Sequence, residues 1–247
     1  MTGVQTCALP ISYTKDGGKA IQGILDREFF KEAKISEFRG ENILIRGVIE
    51  RYLLNLLKWD ERHAPITMVA MEEDFSMEIE TEVDGKPMRI KTGGRVDRMD
   101  ITGDSPGVLR IVDYKTGAHQ DKPSVMANLF ANNSKHAKYY LQTFLYAIAA
   151  RKTRHETMRI KPVLFYPVLS GQPDYDPTLA FGSYAESYVD KNGNRKGPIE
   201  DITEFEQEYV SELKNVISEI FSTKTSFTKT EELRTCEYCD FKALCNR

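Results

Sequence analysis

The sequence predicts a mixed α/β fold, a central mixed sheet flanked by helices, and three observations carry that expectation. Apolar residues recur at helical spacing near both ends of the chain and at strand spacing between them. These stretches follow one another as helices, a hairpin-rich sheet, a helix, a strand and a helix, an order that builds a mixed α/β core. The chain has 247 residues, 40% of them hydrophobic and 29% charged, which suits one folded domain with a real core. No internal repeat or heptad array interrupts this pattern.

Residues 18–35 read as a helix, with Ile21, Leu25 and Phe29 four apart. Residues 40–59 read as a second helix, with Ile45, Val48, Ile49, Tyr52 and Leu56 on one face. Pro65 closes this helical part, residues 12–65. From Ile66 to Val83 the period becomes two, as Met77, Ile79 and Thr81 alternate with Glu78, Glu80 and Glu82. Asp84-Gly85 is a tight-hairpin turn, and the return strand sets Met88, Ile90 and Thr92 against Arg89 and Lys91 before running through Gly93-Gly94 to Asp97 and Asp100. After a turn-rich loop, Val108 to Tyr114 is apolar on both faces apart from Arg110, which predicts a central strand. Residues 135–153 form a helix. Residues 158–168 form a strand whose prolines, Pro162 and Pro167, put it at an edge or bend it. Residues 169–200 are polar and rich in Gly and Pro, and predict a long loop with short irregular elements. A last helix over about 202–222 carries Phe205, Tyr209, Leu213, Val216 and Ile220 on one side. The core is thus 66–230, and 231–247 is a cysteine-rich tail.

A net charge of −3 and a pI near 5.9 argue against a general coat of nucleic-acid affinity, but leave room for a local basic groove. Charge is uneven: Lys135 to Lys161 holds seven Lys or Arg and one acid, Glu156. A solvated helix face explains such a run without any ligand. The longest apolar run, Phe144 to Ala150, is too short to span a membrane, and no charged-then-apolar leader opens the chain, so a cytoplasmic protein is expected.

Two carboxylates sit where they are costly. Asp97 and Asp113 each lie in a strand-like, mostly apolar run, and a carboxylate there must be paired or bound to a cation. Lys115, two residues past Asp113, falls on the same face of a strand. Two converging carboxylates with a nearby ammonium suit Mg²⁺ or Mn²⁺ and an activated water for phosphodiester hydrolysis. Asp97, Asp113 and the carbonyl of Tyr114 would be the ligands, and Lys115 would orient the water or hold a phosphate. Ordinary ion pairs remain the alternative, Asp97 with Arg95 or Arg98 and Asp113 with Lys115.

Gly94-Arg95-Val96-Asp97-Arg98 resembles the second motif of the RecB-like branch of the PD-(D/E)xK nuclease superfamily. Asp113-Tyr114-Lys115-Thr116-Gly117 resembles its D-x-K motif, and Gln142-Thr-Phe-Leu-Tyr146 its Q-x-x-x-Y motif. The resemblance covers about residues 66–247, and the ordered set is far more specific than any one motif. It implies a restriction-endonuclease-like core and a Mg²⁺-dependent deoxyribonuclease, an exonuclease by expectation, within a bacterial helicase–nuclease of double-strand-break repair and recombination. DNA ends or single strands would be the substrate, and a helicase subunit or upstream helicase-like region the partner. Asp97, Asp113, Lys115, Gln142 and Tyr146 become the catalytic set, and Arg95, Lys135, Lys138 and Gln142 the DNA contacts. Gln142 and Tyr146 are one helical turn apart, a spacing that a polar residue beside core aromatics would also give. The family carries an upstream His that completes metal binding; His63, beside Pro65, is not assigned to that role. A catalytically inactive DNA-binding module with the same fold is the alternative reading.

Three of the four cysteines, Cys236, Cys239 and Cys245, crowd the last twelve residues. In a reducing compartment such clustered thiols suggest metal more than disulfide. Their C-x₂-C-x₅-C spacing resembles the tail of AddB-type helicase–nuclease subunits and CRISPR-associated RecB-like nucleases, which implies three ligands of a [4Fe–4S] cluster; zinc is the alternative. The fourth ligand is expected upstream of the nuclease core. Residues 1–11 resemble the in-frame translation of a sequencing-library adapter, so a non-native segment and a truncated natural chain are expected there, and Cys7 is not taken as a ligand.

Overall fold

A long antiparallel hairpin is the spine of the computed structural model, which describes residues 5–7, 19–32, 39–117, 122–131, 137–183, 186–231 and 233–247. Its strands, β2 (Ile66–Val83) and β3 (Lys86–Thr102), pair from Val83↔Lys86 to Ile66↔Thr102. Asp84 and Gly85 make the turn with φ of 52° and 81°, both left-handed as the twist of a two-residue hairpin requires. β4 (Val108–Tyr114) adds antiparallel to β3, and β5 (Arg159–Phe165) adds parallel to β4. A short β1 (Gln5–Cys7) pairs with the outer side of β2, so the five-stranded sheet runs β1-β2-β3-β4-β5. The proline-bearing β5 takes an edge, where a missing ladder donor does least harm.

Two helices, α1 (Lys19–Glu32) and α2 (Glu41–Arg62), precede β2. A parallel β4–β5 pair needs a crossover, and α3 (Lys138–Arg154) supplies it. Tyr140, Phe144, Ala147 and Ile148 of α3 are buried with Met99, Leu109 and Ile111 of the sheet. α4 (Glu206–Phe221) closes this core: Tyr209 stacks 5.6 Å from Phe144 and donates its hydroxyl to the Leu141 carbonyl at 2.9 Å. The α4 stripe differs from expectation at one end. Ile217 is buried, whereas Ile220 is half exposed, because the last turn reaches the tip of the hairpin where β2 ends.

On the opposite sheet face α2 docks by its last turns only. Trp59 and Asp60 are buried, and Leu56 packs on Trp59, Val112, Val163 and Phe165. Ile45 and Val48, expected on the buried face, are largely exposed because that half of α2 extends past the sheet beside α1. Arg46 of α2 pairs there with Asp26 of α1 at 2.8 Å.

The stretch 169–200 is more ordered than its composition suggests. β6 (Ala180–Phe181), β7 (Tyr188–Val189) and β8 (Arg195–Pro198) form a small sheet in the order β6-β8-β7, with strands too short to show a period. A short α5 (Leu233–Glu237) lies in the tail. Residues 33–35 and 135–136 of the expected helices, with Lys135, and the side chain of Phe29 lie outside the described residues. Among the described residues no helix is long and apolar enough to cross a membrane.

Candidate active site

Alternation along β4 sorts its side chains. Leu109 and Ile111 join the core under α3, while Arg110 and Val112 face Trp59 of α2. Asp113 continues the α3 side. On β3 the core-facing parity changes at Asp97: Val96 and Met99 both pack in the α3 core, whereas Arg98 and Asp100 reach toward α2. The neighbouring strand is irregular nearby: its register shifts between Met68 and Ala70, and Glu72, opposite Asp97, takes φ 50°. Such local breaks in a ladder re-aim side chains, and here Oδ2 of Asp97 accepts a hydrogen bond from the Tyr114 amide at 2.8 Å.

Asp113 is 2% exposed. Its Oδ2 lies 2.6 Å from Lys115 Nζ as an ion pair, yet accepts no hydrogen bond of regular geometry. Burial, the largest influence, pushes its pKa up to about 6; Lys115 pulls it down and the Asp97 carboxylate pushes it further up. The backbone amide of Lys115 is anchored on the Phe165 carbonyl at 2.9 Å. Its ammonium donates to Gln142 Oε1 at 3.1 Å and lies 5.1 Å above the Tyr139 ring. Gln142 Nε2 in turn donates to the Tyr146 hydroxyl at 2.7 Å. The Tyr146 ring lies on the backbone of Gly94, where a Cβ would come within 2.4 Å of Cε1. The three motifs therefore meet: Asp97 and Gly94 from β3, Asp113 and Lys115 from β4, Gln142 and Tyr146 from α3. Tyr139 was not signalled by the sequence, since an aromatic at a helix start is common.

Neither arginine offered as an alternative partner takes up Asp97. Arg95 is exposed and bonds both carboxylate oxygens of Asp74, at 3.1 and 3.2 Å. Arg98 enters a cluster behind the sheet that sequence reasoning missed. It donates to both oxygens of Asp60 at 2.8 and 3.0 Å, to Asp100 at 2.5 Å, and to the Tyr114 hydroxyl at 3.1 Å. Arg110 grips Asp100 at 2.6 and 2.8 Å and stacks on Trp59. The one signal was Arg110 itself, a cation in an otherwise apolar strand. His63 is on this rear side, stacked on Trp59 with its Nδ1 2.7 Å from the Trp59 carbonyl.

The basic run is largely neutralised by acids from elsewhere. Arg151 and Lys152 pair with Glu206 at 2.6 and 3.3 Å, Arg154 with Glu73, Arg159 with Asp201 at 3.9 Å, and Lys161 with Glu200 at 3.0 Å. Lys138 is exposed, its ammonium 5.0 Å over the Tyr139 ring. A cleft of about 510 Å³ between α3 and α4 is lined by Arg151, Lys152, Glu206 and Lys214 and shares no residue with the Asp97–Asp113 site.

A family model describing the PD-(D/E)XK nuclease superfamily matches residues 13–246. The chain belongs to that superfamily. PD-(D/E)XK proteins are generally hydrolytic nucleases, which makes DNA the substrate class, and they typically use Mg²⁺ or Mn²⁺. The mixed sheet flanked by helices is the restriction-endonuclease-like fold expected of a member. Comparison with curated proteins gave no match.

The donor set at the front of the sheet fits a hard cation. Two carboxylates lie side by side with one ammonium, which pairs with Asp113 at 2.6 Å, while Asp97, among the described residues, takes only the Tyr114 amide. The tail is less complete. Cys236, Cys239 and Cys245 are free, half-buried thiols, the right donor type for iron–sulfur or zinc. Among the described residues, however, no three or more His, Cys, Asp or Glu side chains gather so as to hold a metal. The Cys7 side chain lies outside the described residues.

Proposed function

We propose that the chain is a metal-dependent deoxyribonuclease domain of the RecB-like, AddB-type branch, hydrolysing phosphodiester bonds. The observation that carries this reading is Asp113, a buried carboxylate paired with Lys115 at 2.6 Å beside a second carboxylate, Asp97. Asp97, Asp113 and the Tyr114 carbonyl would hold the ion, which when bound neutralises the phosphate, lowers the pKa of a water and stabilises the departing alkoxide. Lys115, fixed between Asp113 and Gln142, orients the attacking water or holds a phosphate oxygen. Gln142 and Tyr146 keep Lys115 and the Gly94 backbone in register. Arg95, Lys138 and Lys135 are assigned to the DNA backbone; the exposed Arg95–Asp74 pair is weak enough to exchange Asp74 for a phosphate.

The wider assignment follows the motifs. The domain comprises a helical part at 12–65, a nuclease core at 66–230 and a tail at 231–247. It serves a cytoplasmic bacterial helicase–nuclease in break repair and recombination, acts as an exonuclease, and works beside a helicase subunit or region. Cys236, Cys239 and Cys245 hold three corners of a [4Fe–4S] cluster, or a zinc ion, that ties the tail down. The test is Mg²⁺-dependent degradation of linear DNA. Unchanged activity in both Asp113→Ala and Lys115→Ala would sink the assignment. A second reading, a DNA-binding module without catalysis, is supported by the ligand count: among the described residues two carboxylates meet at the site, with no third His, Cys, Asp or Glu. Salt-sensitive DNA binding with no cleavage at any Mg²⁺ or Mn²⁺ concentration would favour it.

A further inference from the structure

Asp97 and Asp113 are each followed in the chain by a residue of the buried cluster behind the sheet. Arg98 follows Asp97, and Tyr114 follows Asp113. Asp97, Arg98 and Tyr114 close on one another through the sheet. On the front, Oδ2 of Asp97 takes the Tyr114 amide at 2.8 Å; on the back, Arg98 donates to the Tyr114 hydroxyl at 3.1 Å. Tyr114 is thus clasped at its amide and at its hydroxyl by consecutive residues of β3. Asp60, on the last turn of α2, holds the Arg98 guanidinium in a bidentate pair at 2.8 and 3.0 Å, and Asp100 fixes its Nε. The side chains of Asp60, Arg98 and Asp100 are 0–8% exposed, so water does not compete for these bonds.

We infer that Arg98 and the Tyr114 hydroxyl, held by Asp60, are positioning residues for divalent-metal binding: they fix the Tyr114 backbone, whose amide orients Asp97 and whose carbonyl is the further ligand. The inference rests on the reading of Asp97 and Asp113 as metal ligands. Arg98 is suited to the task because a planar guanidinium can reach Asp60, Asp100 and Tyr114 together, which a single ammonium cannot. Partners that orient metal ligands without touching the metal typically govern about 10–100-fold in affinity. The cluster also makes α2 part of the site, though no α2 residue has been placed near Asp97.

The experiment is Mn²⁺ titration calorimetry on the full chain and on Tyr114→Phe, Arg98→Lys and Asp113→Ala, with thermal melting of each and amide hydrogen exchange at residue 114 without metal. Tyr114→Phe keeps the ring that packs edge-on against Phe165 at 5.7 Å, so it tests the hydroxyl in a folded protein should Arg98→Lys fail to fold. The expected result is an affinity about 10-fold weaker in Tyr114→Phe, a larger loss in Arg98→Lys, and faster exchange of the residue 114 amide in both. A merely structural cluster would lower the melting temperature and leave the affinity of the folded protein unchanged. Wild-type affinity in Tyr114→Phe, with binding lost in Asp113→Ala, overturns the positioning role alone. Wild-type affinity in Asp113→Ala overturns the metal reading itself, and the positioning role with it.

Discussion

The two faces of the β3–β4 pair carry charge clusters of opposite character. Behind the sheet, Asp60 and Asp100 face Arg98 and Arg110: Arg98 bonds both carboxylates, and Arg110 bonds Asp100 twice. In front, Asp113 pairs with Lys115 at 2.6 Å, and Asp97 beside it has no cation of its own among the described residues, taking only the Tyr114 amide. A closed, charge-balanced cluster needs nothing further and holds strands and helix together. The front cluster has one cation fewer and is open to a ligand that brings positive charge. The contrast separates structure from chemistry better than burial does, since Asp100 is as buried as Asp113.

The largest effect belongs to the front. Asp113→Ala or Lys115→Ala is expected to slow Mg²⁺-dependent cleavage of linear DNA by at least about 10⁴-fold, more than 5 kcal/mol of barrier. Initial rates beside a urea melt check this, because the loss should come without a matching loss of stability. The rear cluster should behave the other way round. Asp100→Asn leaves Arg98 and Arg110 buried with too little negative charge, and should destabilise the fold by about 3–5 kcal/mol in urea denaturation. A rear variant that melts like the wild type would break the distinction.

A smaller effect has the opposite sign and is tuned by pH. Burial raises the Asp113 pKa from 3.8 to about 6, so the fold favours its neutral form. That contribution is fully present below pH about 4 and is lost as pH rises through about 6. In metal-free protein the loss amounts to roughly 3 kcal/mol at the usual 1.36 kcal/mol per unit. Asp113→Asn should therefore stabilise metal-free protein at pH 8 and change it little at pH 4. Mg²⁺ should stabilise the wild type at pH 8 and not this variant. Chemical denaturation at both pH values, with and without Mg²⁺, reads all of it.

Much of this was legible in the residues. The period-two run and Asp84-Gly85 placed the hairpin and its turn, and Pro162 and Pro167 left β5 an edge or a bent strand, of which the edge is what the sheet shows, because these are local rules of strand pitch and missing donors. Asp97, Asp113, Lys115, Gln142 and Tyr146 could be named by motif, and the fold brings them together. The need for Gly94 became visible only with the Tyr146 ring lying on it, a contact between residues 52 apart. The rear cluster was hidden for the same reason: Asp60 sits on a helix whose other half is exposed, and nothing near it in sequence announces Arg98 as a partner. The parity change at Asp97 was equally illegible, since it lies where β3 meets the irregular part of β2, from the Met68–Ala70 register shift to Glu72. Local chemistry reads from local sequence, and closure of a charge cluster does not.

The basic run tests how far the rule of closed and open clusters extends over the surface. As a sequence, Lys135 to Lys161 is a basic run that a solvated helix face explains without a ligand, with Lys135 and Lys138 the DNA contacts that the resemblance implies. In the structure, Lys161 pairs with Glu200 at 3.0 Å, and Arg151 and Lys152 share Glu206, so these cations are already matched. A cation that neutralises a phosphate of a single strand releases a counterion and adds about 0.7 to the salt slope of binding, whereas one committed to a carboxylate releases none. Lys161→Ala should thus leave the salt slope of oligonucleotide binding unchanged and lower stability by less than about 1 kcal/mol. Lys138→Ala, at the exposed start of α3 one turn from Gln142, should reduce that slope by about 0.7. Fluorescence anisotropy of a labelled single strand across a salt series, in a Lys115→Ala background that prevents cleavage, measures both. Equal slopes for the two variants would show that ion pairs at this surface open readily to phosphate, and that closure separates structure from function only where water is excluded.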